Sequence, residues 1–135
     1  MRQEEQELLI AKDFFESIGI RCYDIIHPIN CDIYCVKRID SQWAAYKIGN
    51  ITPIVPFGKY NHMWGYDAGL CLVSVADSDK TTFANRGIID EQGLEVVKPY
   101  TFNNIWNFYG RSESYIIVYV GNEIKKLSKK FLKLL

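Results

Sequence analysis

Cysteine and histidine are the residues of this chain best suited to chemistry, and they are few. The chain has 135 residues, with four cysteines and two histidines. A metal site would have to combine Cys22, His27, Cys31 and Cys35, whose spacings of five, four and four residues match no structural zinc motif. We therefore expect these cysteines and Cys71 to be reduced core residues, and we predict neither a metal ion nor a cofactor.

Signatures of catalysis are absent from the sequence as well. It contains no glycine-rich phosphate loop, no nucleophile elbow and no zinc-protease helix. A carboxylate pair could still support acid–base catalysis, and Asp24 with Asp67 is one such pairing, although no motif marks it. Asp77 and Asp79 have no third oxygen ligand at loop spacing, which favours a plain turn over a cation site. These patterns predict a protein that is not an enzyme.

The charge balance excludes one class of partner, and the hydropathy of the chain indicates one compartment. Sixteen basic and sixteen acidic residues give a net charge of zero, which removes the long-range field that nonspecific nucleic-acid binding requires. The first seven residues are too polar for a secretory signal, and no apolar run approaches the length of a membrane span. We expect a cytoplasmic protein that binds neither nucleic acid nor membrane.

An internal repeat determines how the remaining residues are positioned. When residues 54–68 are shifted forward by 42 positions they align with residues 96–110 without a gap. The chemically similar pairs are Val55 and Val97, Tyr60 and Phe102, Asn61 and Asn103, Met63 and Ile105, Trp64 and Trp106, and Tyr66 and Phe108. A fainter copy starts at Tyr23, 37 positions before Tyr60.

A short apolar run follows each copy, at 33–36, 70–73 and 115–118, with three extra residues around 111–114 in the last copy. The first two runs lead to further strand-like segments, at 42–48 and 86–90. Units of about 40 residues that recur about three times are typical of stacked supersecondary elements, which bury their apolar faces against their neighbours. The sequence therefore predicts a mainly β fold of antiparallel hairpin repeats over residues 21–135 in a single domain 1–135.

The repeat resembles the bacterial WG-repeat (KWG) family. The similarity lies in residues 86–93 (RGIIDEQG), 95–99 (EVVKP), 102–105 (FNNI) and 68–73 (AGLCLV), and it extends over about residues 23–128. The chain departs from the family where its Trp-Gly pair should stand, since Ala44 follows Trp43 and Arg86 precedes Gly87. The resemblance implies a β-rich repeat module to which no catalytic residues are assigned.

A helix and several strands are expected around this repeat. Residues 4–18 place apolar side chains on one helical stripe before Gly19, so residues 1–20 should form an amphipathic cap on the repeats. Ile54 and Val55 lie between prolines and read as a short edge strand. Gly49 and Asn50 read as a hairpin-type turn.

Two segments have ambiguous patterns. Tyr60, Met63 and Tyr66 are spaced by three, which favours a turn or 3₁₀ segment over a strand that would share one face among residues 60, 62, 64 and 66. Residues 123–135 carry a helical stripe, but the repeat predicts a strand through 124–127, and we predict that strand.

The leading hypothesis is a protein-binding or scaffold module that is monomeric or weakly homo-oligomeric. Trp64 and Trp106, one repeat apart, would either form an exposed aromatic ladder or be core residues packed between successive units. Trp43 and His62 would be further contact residues. His62 aligns with Asn104, so its position requires a polar residue and not specifically a base. The alternatives are an immunity or antitoxin-type inhibitor of one enzyme, and a carbohydrate-binding module.

Overall fold

The computed structural model describes residues 2–77, 83–106 and 115–129. Within these residues the chain forms one helix and ten strands. In chain order they are α1 Gln3–Ser17, β1 Cys22–Ile26, β2 Ile33–Arg38, β3 Trp43–Lys47, β4 His62–Asp67, β5 Leu70–Ser74, β6 Arg86–Ile89, β7 Glu95–Val97, β8 Asn104–Trp106, β9 Tyr115–Val120 and β10 Glu123–Ser128. No helix in the described part of the chain is both long and apolar enough to cross a membrane.

The strands form three antiparallel meanders, which confirms the predicted fold class of mainly β hairpin repeats. Sheet 1 has the order β1-β2-β3, sheet 2 the order β4-β5-β6-β7, and sheet 3 the order β10-β9-β8. The apolar runs that follow each copy of the repeat are β2, β5 and β9, the second strand of each sheet. Successive sheets therefore follow one another along the chain at the same intervals as the copies of the repeat.

The three sheets stack on one another with a separate apolar core at each contact. The residues of β5 show this directly, because Cys71 and Val73 pack into the core shared with sheet 1, whereas Leu70 and Leu72 pack into the core shared with sheet 3. A strand that alternates between two cores must lie in the middle layer. Sheet 1 in turn is covered on its other side by α1 through a third core.

Helix α1 is the predicted cap of the stack. Glu4 and Glu5 lie in its first turn, where they complement the helix dipole, and Gly19 follows its end with a φ of 86°. Phe15 is fully buried and contacts the ring of Tyr46 edge-on at 5.4 Å. Two buried positions one helical turn apart, Ala11 and Phe15, thus attach the helix to sheet 1.

The structure corrects the interpretation of residues 60–66. They do not form a 3₁₀ segment, since β4 begins at His62, and the earlier and later copies likewise form β1 and β8. A β-bulge between Met63 and Tyr66 explains the spacing of three, because the extra residue lets both side chains face the same core. Gly65 lies in this bulge with a φ of 107°, a backbone conformation that favours glycine.

Other predicted elements are confirmed with small differences. Residues 123–128 form strand β10, as the repeat predicts, and pair with β9 along its whole length. Val55 makes an isolated bridge to Ala45 at the edge of sheet 1. The backbone N–H of Asn50 donates to the carbonyl of Lys47 in the turn after β3. The predicted turn at Asp79 and the positions of Phe108, the insertion at 111–114 and residues 130–135 lie outside the described residues.

Candidate functional site

Three of the four predicted contact residues come together in one row. The ring of His62 lies between those of Trp43 and Trp64, with centroid distances of 5.0 Å and 4.2 Å and near-perpendicular planes. Trp43 is on β3 of sheet 1, whereas His62 and Trp64 are on β4 of sheet 2. The row therefore joins two successive repeats.

Two cations extend this row at its ends. The Lys37 ammonium lies 5.9 Å from the ring centroid of Trp43, its cross-strand partner in sheet 1. The Arg86 guanidinium lies 5.1 Å from the ring centroid of Trp64, and its Nη1 donates to Oδ1 of Asn104 at 3.5 Å. We call Lys37, Trp43, His62, Trp64 and Arg86 the cation–aromatic row.

Burial and positive charge determine the protonation of this row. Burial lowers the pKa of His62 from its ordinary value of 6.5, and the nearby charges of Lys37 and Arg86 lower it further. Burial also lowers the pKa of the Arg86 guanidinium. A neutral imidazole between two cations suits contact or positioning, and both cations are close enough to His62 to influence its charge.

Trp106 lies apart from the row, on the outer side of sheet 3. Its side chain is 58% exposed, whereas Trp43 is 3% exposed and Trp64 is half-buried. Ile105, Ile116 and Val118 pack toward sheet 2. Because side chains alternate along a strand, Trp106 lies on the other side of sheet 3. The same outer side carries side chains that are cross-strand neighbours of Trp106 or lie one pair away along β9 and β10. These are Tyr115, Ile117, Tyr119, Ile124 and Lys126.

We call the surface formed by Trp106 and these five residues the distal face. In the repeat alignment, the distal face of sheet 3 is equivalent to the side of sheet 2 that sheet 3 covers. Trp64 aligns with Trp106, and the run from Leu70 aligns with the run from Tyr115, so that Leu72 corresponds to Ile117. Trp64, Leu70 and Leu72 pack in the core between sheets 2 and 3. The distal face is thus the equivalent of a packing surface, presented outward.

The cysteines lie in or beside the cores and form no common site. Cys35 and Cys71 are fully buried in the core between sheets 1 and 2, whereas Cys22 packs beside the core under α1. The pKa of the Cys35 thiol is raised well above its usual value, mainly by the contact with Cys71 and secondly by burial. Cys35 is therefore a poor nucleophile. All four cysteines are free.

The remaining candidate ligands are dispersed. His27 pairs instead with Glu7 of α1, with 2.6 Å between Nε2 and Oε2. Asp24 lies opposite Lys37 in sheet 1, and Asp67 lies opposite Leu70 in sheet 2. Among residues 2–77, 83–106 and 115–129, no three His, Cys, Asp or Glu side chains converge as metal ligands.

A groove between α1 and β1 is a further concavity, of about 490 Å³. Leu8, Leu9 and Ile25 are among the apolar residues that line it, and Glu5, Lys12 and Asp24 are its charged lining residues. Its ionisable groups do not converge on one point in a way that indicates a reaction.

Lys37 and Arg86 are the site residues that sequence reasoning missed. Lys37 lies on β2 and Arg86 on β6, and only the packing of sheet 1 on sheet 2 brings them to the same row. The one local signal is position. Lys37 is the first polar residue after the apolar run 33–36, and Arg86 is the last polar residue before the run 87–89. No family model matches the chain, and neither does any curated protein or solved structure.

Proposed function

We propose that this chain is a non-catalytic β-repeat module that binds another protein through its distal face. The observation that carries the proposal is the exposure of Trp106 at the position where Trp64 is packed. Inside the molecule, the equivalent surface of sheet 2 is covered by another sheet. A protein surface of similar flatness and chemistry would cover the distal face in the same way.

The composition of the distal face supports a protein partner. Trp106 and Ile124 are exposed, with the half-buried Tyr115, Ile117 and Tyr119 between and beside them. Tryptophan and tyrosine supply much of the binding energy at protein interfaces, and contiguous apolar patches on a surface mark interaction sites. Lys126, 4.6 Å from the Tyr115 ring, adds one positive charge to this face.

The resemblance to WG repeats supports the same proposal, because that family implies a repeat scaffold and no assigned catalytic residues. An inhibitor of a single enzyme is one form that such a module could take. The number of partners that bind the distal face distinguishes a one-partner inhibitor from a general scaffold. A carbohydrate-binding module is the second candidate, favoured by one observation, the exposed ring of Trp106.

The proposal is tested by site-specific photocrosslinking in cells of the source organism. A photoreactive phenylalanine replaces Ile124, which is 65% exposed on the distal face, or, as the matched control, Ile51, which is 72% exposed in the loop after β3. We expect a discrete protein adduct from position 124 and none from position 51. Adding Trp106→Ala should remove the adduct, since it removes the most exposed aromatic side chain of this face.

Equal adducts from both positions, or an adduct that persists with Trp106→Ala in a folded chain, would contradict the proposal. Binding of neutral oligosaccharides to the wild-type chain but not to the Trp106→Ala variant would favour the carbohydrate-binding module instead.

A further inference from the structure

We propose that Lys37 and Arg86 form a second binding site, which takes carboxylate side chains from an acidic protein segment lying across the cation–aromatic row. This site is separate from the distal face. It makes use of charge, whereas the distal face makes use of apolar area.

The first argument is that both cations lack an anionic partner within the part of the chain that the structure describes. Among residues 2–77, 83–106 and 115–129, the ion pairs include neither Lys37 nor Arg86. Asp24 lies opposite Lys37 in the ladder, but its Oδ1 accepts a hydrogen bond from the backbone N–H of Ile25. Positive charge that is partly removed from water and left unpaired favours an incoming carboxylate.

The neighbouring cation on β2 provides an internal comparison. Arg38, on the opposite side of the strand from Lys37, makes two hydrogen bonds to the Asp40 carboxylate, at 3.0 Å and 2.8 Å. The chain therefore neutralises Arg38 internally and leaves Lys37 available.

The second argument is that the two cations are held in position. Lys37 lies over the rings of both Tyr23 and Trp43, at 5.0 Å and 5.9 Å. Arg86 lies between the rings of Trp64 and Phe83, at 5.1 Å and 4.9 Å. Side chains that are already ordered lose little conformational entropy when a ligand binds, so these cations are preorganised.

The third argument favours a peptide over a sugar or a nucleic acid. Those ligands stack on open aromatic faces. Here Trp43 is buried, the His62 ring is edge-on to both tryptophans, and Arg86 lies over the Trp64 ring. The row offers charge bordered by apolar edges, which fits a carboxylate flanked by apolar side chains.

Nuclear magnetic resonance at low salt tests the site directly, with a short poly-L-glutamate peptide as the probe. We expect it to shift the His62 ring and the Trp64 indole N–H resonances. Lys37→Gln and Arg86→Gln should each weaken binding roughly three- to tenfold, as expected for loss of one partly desolvated charge pair. Arg38→Gln is the matched control and should change the affinity by less than about twofold, because its charge is already paired.

Two further variants keep the test decisive if Arg86→Gln does not fold. Arg86→Lys retains the charge and should retain part of the binding. Asp24→Asn removes the carboxylate opposite Lys37 and should strengthen binding roughly two- to threefold. Trp106→Ala should bind the peptide as the wild type does, so that failure of this site and failure of the distal face are distinguishable.

Three results would overturn the inference. The first is binding of poly-L-glutamate that Lys37→Gln and Arg38→Gln weaken equally, and the second is no binding at all. The third is a preference for an oligogalacturonate of equal charge over the peptide, which would assign the row to acidic carbohydrate.

Discussion

Trp64 and Trp106 occupy equivalent places in successive sheets, 42 positions apart, but within the described residues only Trp64 packs against a following sheet. Met63 and Ile105, which precede them, are both buried, each in the core that its own sheet shares with the preceding sheet. The two tryptophans therefore point in equivalent directions and differ in what lies in front of them. This relationship explains how one repeated sequence pattern can serve packing in one unit and recognition in the next.

The first prediction concerns the stability of the two tryptophan variants. Trp64→Ala should lower the free energy of unfolding by about 2 kcal/mol or more, since it removes core packing and the Arg86 contact. Trp106→Ala should change it by less than about 0.5 kcal/mol, because an exposed side chain leaves no cavity. Urea denaturation followed by circular dichroism measures both. Equal losses would mean that Trp106 is a structural residue.

The second prediction concerns the pH dependence that His62 introduces. Its pKa in the folded protein is lowered below 6.5, so the unfolded chain binds more protons than the native chain in this range. Stability from this group is complete above about pH 6.5 and is lost as the pH falls through the folded pKa. The carboxyl groups with lowered pKa, Glu7 and Asp40, have ordinary values of 4.5 and 3.8 and titrate below this window.

His62→Asn places at this position the residue that stands at the equivalent position 104. The variant should show a smaller loss of stability than the wild type between pH 7.5 and pH 5.5, measured by urea denaturation at each pH. A wild-type curve that is flat over this range, or one that the substitution leaves unchanged, would contradict the lowered pKa.

The third prediction concerns Gly65 in the bulge of β4. A Cβ atom at this position would lie 2.5 Å from Cγ2 of Ile26, and the backbone φ of 107° is strained for any other residue. Gly65→Ala should therefore cost about 2–4 kcal/mol of folding free energy. Gly121→Ala is the matched control, since it also has positive φ but nothing lies within 4 Å of its Cβ, and it should cost about 1–2 kcal/mol. Similar costs for the two variants would show that the approach of Ile26 is unimportant.

The architecture could be predicted from the sequence because the repeat consists of short apolar runs that can be recognised along the chain. The runs at 33–36, 70–73 and 115–118 are β-branched or apolar, and each became the second strand of a sheet. Sequence reasoning misjudged residues 60–66 because a bulge imitates a spacing of three. The glycine after Trp64 was the available signal, since a glycine inside a strand often marks a bulge.

The candidate site was predictable only in part. The sequence singles out Trp43, His62 and Trp64 as aromatic or polar residues in or near the repeat, and the structure brings them together. Their contact depends on the packing of sheet 1 on sheet 2, and so does the position of Lys37 relative to Arg86. Such relationships between strands far apart in sequence have no periodicity along the chain, which is why the two cations were missed.

Hydroxyl-radical footprinting of the three tryptophans is the most direct measurement of the central claim. In the chain alone, Trp106 should be oxidised fastest and Trp43 slowest, in keeping with their exposures of 58% and 3%. In the complex with the partner identified by crosslinking from position 124, Trp106 should become protected while Trp43 remains unreactive. If Trp106 is oxidised equally fast with and without that partner, the distal face is not the interaction surface and the proposed function is wrong.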